Sequence, residues 1–368
     1  MKSKPFHSNL ATKCLAFVLS VLLLFYAVPT AVFAEEVKDD ATGETTSVDA
    51  SFPEEIAVLD SNADEPEAAD TYDEYDRPAQ QIVVAYPDSG SSTDYFYNVI
   101  DYTYVEKNGQ TSAQIGSYTS TVNDGTPLTY TYTYDAMGNV TKIAYSNGQQ
   151  IRYVYDDLGQ LIREDNTLRN QTYTYTYDNA GNILSKNTYA LTASAYTPTN
   201  PTSTYTYTYG DSEWGDKLTS YRGVNFTYDY IGNPKYYYNG TSYNFTWTGR
   251  QLTKAVHNNQ TITFTYNDEG MRTTKGGIVY YLNGTQILGE SNQGAITLYI
   301  YDAYGAPIGF QHLSEEYGSE WEVYWYEKNL QGDIVAVYNS AGTKLVSYVY
   351  DAFGNATITY HKIGRAHV

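Results

Sequence analysis

Histidines are the first residues to consider for acid–base or metal chemistry, and the chain has only five. His7 lies in the N-terminal apolar region, and His361 and His367 lie in or beside the last few residues. His257 and His312 stand in polar, loop-like sequence without evident partner residues nearby, which does not favour acid–base catalysis or metal binding. No G-x-S-x-G, H-E-x-x-H or Walker motif occurs. We therefore expect no enzymatic activity, no catalytic residues, no cofactor and no metal.

Aspartate and asparagine recur in a second pattern, Tyr-Asp/Asn-x-x-Gly, which the chain repeats eight times. A calcium loop stacks several carboxylates in one turn, whereas each unit here supplies one, so calcium binding is not favoured. Asp at the first position of a type I turn accepts a backbone N–H two residues on, and Gly at the fourth position takes the left-handed conformation that closes a hairpin. The pattern predicts structural turns at Asp135 and Gly138, Asp156 and Gly159, Asp178 and Gly181, Asp229 and Gly232, Asn267 and Gly270, Asp302 and Gly305, Asn339 and Gly342, and Asp351 and Gly354.

Strands are predicted before these turns, because tyrosine and threonine alternate with a period of two residues. The alternation is cleanest over 130–134, 173–177 and 205–209. One hairpin is not stable alone, so we expect many to lie side by side with tyrosines stacked across strands. A tyrosine face keeps its hydroxyls available, which suits the wall of a wet cavity better than a dry core. The fold class predicted is all-β and antiparallel.

Rows of tyrosine with asparagine and glutamine could also stack on sugar rings. Packing within the sheet explains the same rows, because tyrosine recurs at the register that the sheet itself requires. We favour the structural interpretation and keep a cell-surface adhesin that binds carbohydrate or cell-wall polymer as the alternative function.

The unit Tyr-x-Tyr-Asp-x-x-Gly-Asn resembles the YD repeat of Rhs proteins, of Gram-positive wall-associated proteins, of the Tc toxin C component and of teneurins. The resemblance covers about Thr129 to Tyr360, and 329–338 resembles the opening of the Rhs core. It implies a β-sheet that coils into a hollow shell, here incomplete. Such a shell would hold a C-terminal toxin, the expected partner, until delivery to a competing cell. We expect that toxin to lie outside this chain.

Charge and apolar runs divide the rest of the sequence. The net charge is −20, and its acidity is concentrated in 35–76, where sixteen Asp or Glu accompany one Lys. The single cysteine, Cys14, lies in the predicted signal, so disulfides are not expected afterwards. The predicted organisation is a signal peptide at 1–34, a disordered acidic spacer at 35–80, a degenerate β segment at 81–128, the YD/Rhs repeat region at 129–360, and a translated sequencing adapter at 361–368.

Localisation follows from the same features. A basic start, a short apolar run and small residues before Ala34 indicate export, and the run is too short for a comfortable membrane span. We expect a secreted or cell-wall-associated protein of a Gram-positive-like bacterium, with no membrane contact after signal cleavage. No basic patch indicates nucleic-acid binding.

Overall fold

The computed structural model describes residues 70–85, 96–302, 304–314 and 321–361. The predicted signal peptide, the spacer up to residue 69 and the adapter-like residues 362–368 lie outside these ranges. Within them every regular element is a β-strand, and inside each of two sheets every strand pairs antiparallel with its neighbours in sequence. The prediction of an all-β antiparallel fold is confirmed.

The 26 strands form two 13-stranded sheets in which spatial order equals sequence order. The first sheet contains β1 Thr71–Tyr72, β2 Pro78–Ala85, β3 Phe96–Lys107, β4 Gln110–Val122, β5 Leu128–Tyr134, β6 Val140–Tyr145, β7 Gln150–Tyr155, β8 Leu161–Asn166, β9 Gln171–Tyr177, β10 Ile183–Ala190, β11 Ser203–Tyr209, β12 Leu218–Tyr221 and β13 Val224–Asn225. The second contains β14 Tyr236–Tyr238, β15 Ser242–Thr248, β16 Gln251–His257, β17 Gln260–Tyr266, β18 Arg272–Lys275, β19 Ile278–Asn283, β20 Gln286–Asn292, β21 Ala295–Tyr301, β22 Pro307–Leu313, β23 Glu322–Lys328, β24 Ile334–Asn339, β25 Lys344–Tyr350 and β26 Ala356–Tyr360.

The ends of the two sheets remain open. Strand order runs from β1 to β13 and from β14 to β26 without returning to its start. Strand β26 pairs with β25, and all five of its residues are exposed. In the connection between β13 and β14, an antiparallel bridge pairs Tyr228 with Pro234. The described strands therefore form two open meanders.

Pairing begins before the boundary that composition suggests. Strands β1 and β2 start at Thr71 and Pro78, inside the segment predicted as a spacer up to residue 80. The acidic residues of this part do not prevent pairing, because Arg77 bonds to the Asp73 carboxylate with its Nε at 2.7 Å.

Tyrosine rings form a ladder across the first sheet. The rings of Tyr102 and Tyr118, and those of Tyr118 and Tyr130, have centroids 5.6 Å apart, and Tyr130 and Tyr145 follow at 4.9 Å. Tyr118 and Tyr130 are 3% and 4% exposed, so this face is a packed core. The expectation that tyrosine lines a wet wall is wrong for these residues, because strands of the second sheet cover them.

The two sheets meet where β3 and β4 lie against β23 and β24. Phe96 stacks on Trp325 with ring centroids 5.6 Å apart, and Ala336 and Tyr338 complete this cluster. The Tyr118 hydroxyl donates to the Lys328 carbonyl at 2.7 Å. These contacts join residues about two hundred positions apart in one compact unit.

Candidate functional site

The structure places all eight Tyr-Asp/Asn-x-x-Gly units at hairpin turns. At the turn from Asp178 to Gly181, the Gly181 N–H donates to the Asp178 carbonyl at 3.1 Å. The Asp178 N–H donates to the Asn182 carbonyl at 2.9 Å. The same two backbone bonds recur at the other seven turns, Asp135–Gly138, Asp156–Gly159, Asp229–Gly232, Asn267–Gly270, Asp302–Gly305, Asn339–Gly342 and Asp351–Gly354.

The first side chain of each turn decides how many backbone donors it satisfies. Asp178 Oδ1 accepts the N–H groups of Ala180 at 2.9 Å and Asn182 at 2.8 Å. Asn267 Oδ1 accepts one backbone N–H, from Met271 at 2.8 Å. An anionic acceptor forms stronger hydrogen bonds than an amide oxygen, so the aspartate turns are the more firmly closed. Burial alone would raise the pKa of Asp178, but the Asn182 amide and the backbone N–H groups outweigh it and hold the pKa below its usual value.

Among the described residues, two further turns of this type that begin with Asn or Asp escaped sequence analysis. At Asn329 the same backbone bonds form with Gly332 and Asp333, although lysine rather than tyrosine precedes the asparagine. At Asp73 the position of glycine is taken by Asp76, which has a φ of 57°. The Tyr72-Asp73 pair matches the start of the motif and could have indicated the turn at Asp73 from the sequence.

The motif tyrosine has a role that the sequence did not reveal. In seven of the eight units its hydroxyl donates to a backbone carbonyl on a strand of the preceding hairpin, whereas Tyr338 donates to the Glu327 carboxylate. Tyr177 bonds to Leu161 at 2.7 Å, and Leu161 lies two residues after the glycine of the previous turn. Equivalent bonds run from Tyr134 to Ile115, Tyr155 to Val140, Tyr228 to Leu218, Tyr266 to Leu252, Tyr301 to Ile287 and Tyr350 to Ile334. Each of these tyrosines therefore ties one hairpin to the one before it.

One turn, at Asp351, also joins the two sheets. Lys186 on β10 places its Nζ 2.5 Å from Asp351 Oδ2. Glu164 on β8 accepts the Ala352 N–H at 2.9 Å, and its other oxygen accepts the Asn166 side-chain amide at 2.9 Å. Arg169 donates to the Val349 carbonyl at 3.1 Å. We call Glu164, Asn166, Arg169, Lys186 and Asp351 the polar cluster.

The polar cluster is withdrawn from solvent. Glu164 and Asn166 are 0% exposed and Asp351 is 5% exposed. Burial raises the pKa of the Glu164 carboxyl, and the Asn166 and Ala352 donors oppose this shift. Burial would also raise the pKa of Asp351, but Lys186 and the Asn355 donors outweigh it and keep the pKa below the usual value. The cluster therefore holds an ionised Asp351 paired with Lys186 at neutral pH.

Aromatic packing accompanies the polar contacts. The Phe353 ring lies 4.9 Å from the ring of Tyr175, which is 3% exposed. Beside Phe353 is an open cavity of about 400 Å³, lined also by Tyr153, Tyr155, Leu161 and Tyr177. The turn at Asp351 in the second sheet thus contacts the first sheet through both the Asp351 carboxylate and the Phe353 ring.

Chemically, the polar cluster is suited to holding two sheets together. Both Glu164 oxygens and both Asp351 oxygens accept hydrogen bonds within the protein. Among the described residues no group of three His, Cys, Asp or Glu side chains could hold a metal ion. His257 stacks on Tyr243 at 4.2 Å and His312 lies 3.0 Å from the Thr297 hydroxyl, so the structure does not bring the two histidines together. Over the described ranges, no helix is long and apolar enough to cross a membrane.

Comparisons with known proteins place these turns in a family context. A family model described as RHS Repeat matches residues 155–194, which include the turns at Asp156 and Asp178. The tRNA3(Ser)-specific nuclease WapA of Bacillus spizizenii is 28% identical over 151 residues, covering 39% of this chain and 6% of the nuclease. The tRNA nuclease WapA of Bacillus subtilis is 28% identical over 156 residues, with the same two coverages. The chain thus spans a small part of the length of these relatives.

Solved structures with similarity include crystal structures of TcdB2-TccC3. The TcdB2-TccC3-TEV structure has a TM-score of 0.47 at 16% identity, covering 78% of this chain and 16% of that one. The TcdB2-TccC3-Cdc42 structure has a TM-score of 0.42 at 14% identity, covering 79% and 20%. The resemblance to RHS-repeat proteins that the sequence predicts is confirmed by the repeat match over residues 155–194 and by the WapA relatives.

Proposed function

We propose that this chain is scaffold from an exported Rhs-type shell, which encloses a toxic C-terminal domain and delivers it in competition between bacteria. In this proposal the chain is not itself an enzyme, and the nuclease activity in the names of its WapA relatives belongs to another part of such proteins. Export also fits the N-terminal signal pattern.

The observation that carries the proposal is the use of the motif side chains. Tyrosine hydroxyls such as that of Tyr177 bond to neighbouring hairpins, and tyrosine rings such as that of Tyr130 are buried. Tyrosine hydroxyls and rings that are used in contacts between hairpins support the interpretation of the sheet as a wall built from repeated hairpins. They leave little of the same rows free to bind a carbohydrate, so the adhesin alternative is not favoured.

The contact between the sheets is the second support. A wall that retains a passenger must not separate easily, and the polar cluster joins β8 and β10 to the turn at Asp351. Breaking a buried ion pair by removing one partner costs about 3–5 kcal/mol. The contact is therefore strong enough to matter for closure.

The test uses the protein encoded by the intact locus, sequenced through its end by one long read. We expect a toxin domain downstream of this chain, and we expect protease to leave that domain intact while it is enclosed. Asp351→Lys places a second cation against Lys186 and should open the wall, exposing the domain to cleavage.

Asp268→Lys is the matched control, because Asp268 is an exposed turn residue. Its protease pattern should equal that of the unsubstituted protein. A locus without a downstream domain, or a domain digested equally fast in all three proteins, would contradict the proposal.

A further inference from the structure

Strand β18 of the second sheet carries two cations that no carboxylate neutralises at contact distance. Lys275 is 9% exposed and lies across from Phe264 on β17 and Ile278 on β19. Arg272 is half-buried and lies across from Tyr266. Within the described ranges, every ion pair involves other residues. A buried charge without a partner is costly, so these two need an explanation.

Two aromatic rings fix the position of the Arg272 guanidinium. Its central carbon lies 5.0 Å from the centroid of the Phe264 ring and 6.0 Å from that of Tyr266. The Arg272 Nε–H is buried, yet no acceptor among the described residues lies within hydrogen-bond distance. The terminal N–H groups of this guanidinium are not buried in the same way, so they are the donors that an external acceptor can reach.

Glu290 on β20 is the nearby carboxylate, and it does not form a contact ion pair with either cation. Burial, and after it the Arg272 guanidinium, lowers the pKa of Lys275, while Glu290 acts to raise it. Burial raises the pKa of Glu290, and Lys275 opposes that shift. Lys275 pairs with Ile278 and Glu290 pairs with Tyr280 on β19, the strand between them, so the two cations and the one carboxylate share one part of the sheet. Two cations and one carboxylate leave one positive charge uncompensated, and this charge attracts an additional anion.

We propose that Arg272 and Lys275 form a binding site for one oxyanionic group, a carboxylate or a phosphate. The guanidinium offers its terminal N–H groups as donors, and the Lys275 ammonium supplies a point charge beside it. Arg272, Tyr280 and Glu290 are only half-buried, so the site is open to a ligand. This site is independent of the proposed shell function, because it requires only the local structure of β17 to β20.

The test titrates the full chain, labelled with ¹⁵N-arginine, with inorganic phosphate and separately with glutarate at constant ionic strength. The Arg272 Nε–H resonance, assigned as the one lost in Arg272→Lys, should shift saturably. Lys275→Met should weaken binding at least about tenfold, because it removes a charge-assisted contact. Lys275→Arg should retain binding. The tighter of the two probes identifies the phosphate or the carboxylate as the preferred source.

Lys254→Met is the matched control, since Lys254 is an exposed lysine on β16 of the same sheet and should leave binding unchanged. Glu290→Gln gives a second, independent variant, because removing the competing carboxylate should tighten binding several-fold. The proposal is overturned by a resonance that does not shift saturably, by equal affinities for Lys275→Met and the parent, or by weaker binding in Glu290→Gln.

Thermal unfolding provides a readout that a purely structural lysine would not give. Without ligand, Lys275→Met should unfold at a higher temperature than the parent, because an unpaired buried charge has been replaced by an apolar chain. Phosphate should raise the unfolding temperature of the parent more than that of Lys275→Met, which binds it more weakly. An equal rise in both proteins would mean that phosphate acts elsewhere.

Discussion

The turns that begin at Asp178 and Asp351 share one motif but occupy different surroundings. Both aspartates accept the backbone N–H groups of the residues two and four positions ahead. Asp178 is half-buried and bonds within its own turn, whereas Asp351 is 5% exposed and pairs with Lys186 of the other sheet. The difference teaches that one local motif can serve either a hairpin alone or a contact between sheets, depending on what packs over it.

Removing the carboxylate should separate the two turns most clearly. Asp351→Ala leaves the Lys186 ammonium buried without a partner, so we expect a loss of about 3–5 kcal/mol in the free energy of unfolding. Asp178→Ala removes local hydrogen bonds and should cost only about 1 kcal/mol. Urea unfolding of the two variants checks this, and equal midpoints would mean that the ion pair adds nothing beyond the turn.

Backbone strain should have an intermediate effect at the turn that lacks the ion pair. Gly181 has a φ of 87°, a conformation that a β-branched residue adopts only with strain of about 1–3 kcal/mol. A Cβ there would also approach Gln160 Nε2 at 3.2 Å, a flexible side-chain end that can move. Gly181→Val should therefore melt at a lower temperature than Ala180→Val, which changes an exposed position in the same turn. Identical melting temperatures would remove φ as the reason for glycine.

The tyrosine hydroxyl gives a smaller effect and a matched control on the same strand. Tyr177→Phe removes the bond to the Leu161 carbonyl and should cost roughly 0.5–1.5 kcal/mol. The Tyr175 hydroxyl is buried without a partner among the described residues, so Tyr175→Phe should be neutral or stabilising. Chemical denaturation of both variants tests whether hairpins are tied by the hydroxyl or by the ring. No loss in Tyr177→Phe would mean that the ring, which both variants retain, is what holds the hairpins together.

The pH dependence should be the smallest difference near neutrality and should grow in acid. Asp351 has a lowered pKa in the folded protein, so its ion pair contributes fully above the unfolded value of about 3.9 and is lost as pH falls through the folded value. Glu164 has a raised pKa, so its contribution changes in the opposite sense, being lost as pH rises through the folded value. The stability gap between the parent and Asp351→Asn should thus be constant above about pH 5 and shrink below it. Urea midpoints measured from pH 3 to pH 7 check this, and a gap unchanged at pH 3 would contradict it.

Whether a feature could be predicted from the sequence depends on how far apart along the chain the interacting residues lie. Asp135, Gly138 and their counterparts were found because turn chemistry is set within five residues. The acceptor of the Tyr177 hydroxyl could not be found in this way, because it depends on how the previous hairpin lies beside β9. Glu164 gave no signal at all, since a charged residue in a strand is usually exposed, yet here it is fully buried.

The sequence by itself determined the strands, the turns and the order in which they pair. Alternating tyrosines select the strand, and Asp-x-x-Gly selects the tight connection, so each hairpin is specified by its own residues. Only the tertiary structure decided which face of the tyrosine sheet is covered and which turn enters the contact. The reason is that the Ala352 N–H and the Glu164 carboxylate, 188 positions apart, meet only when the second sheet lies over the first.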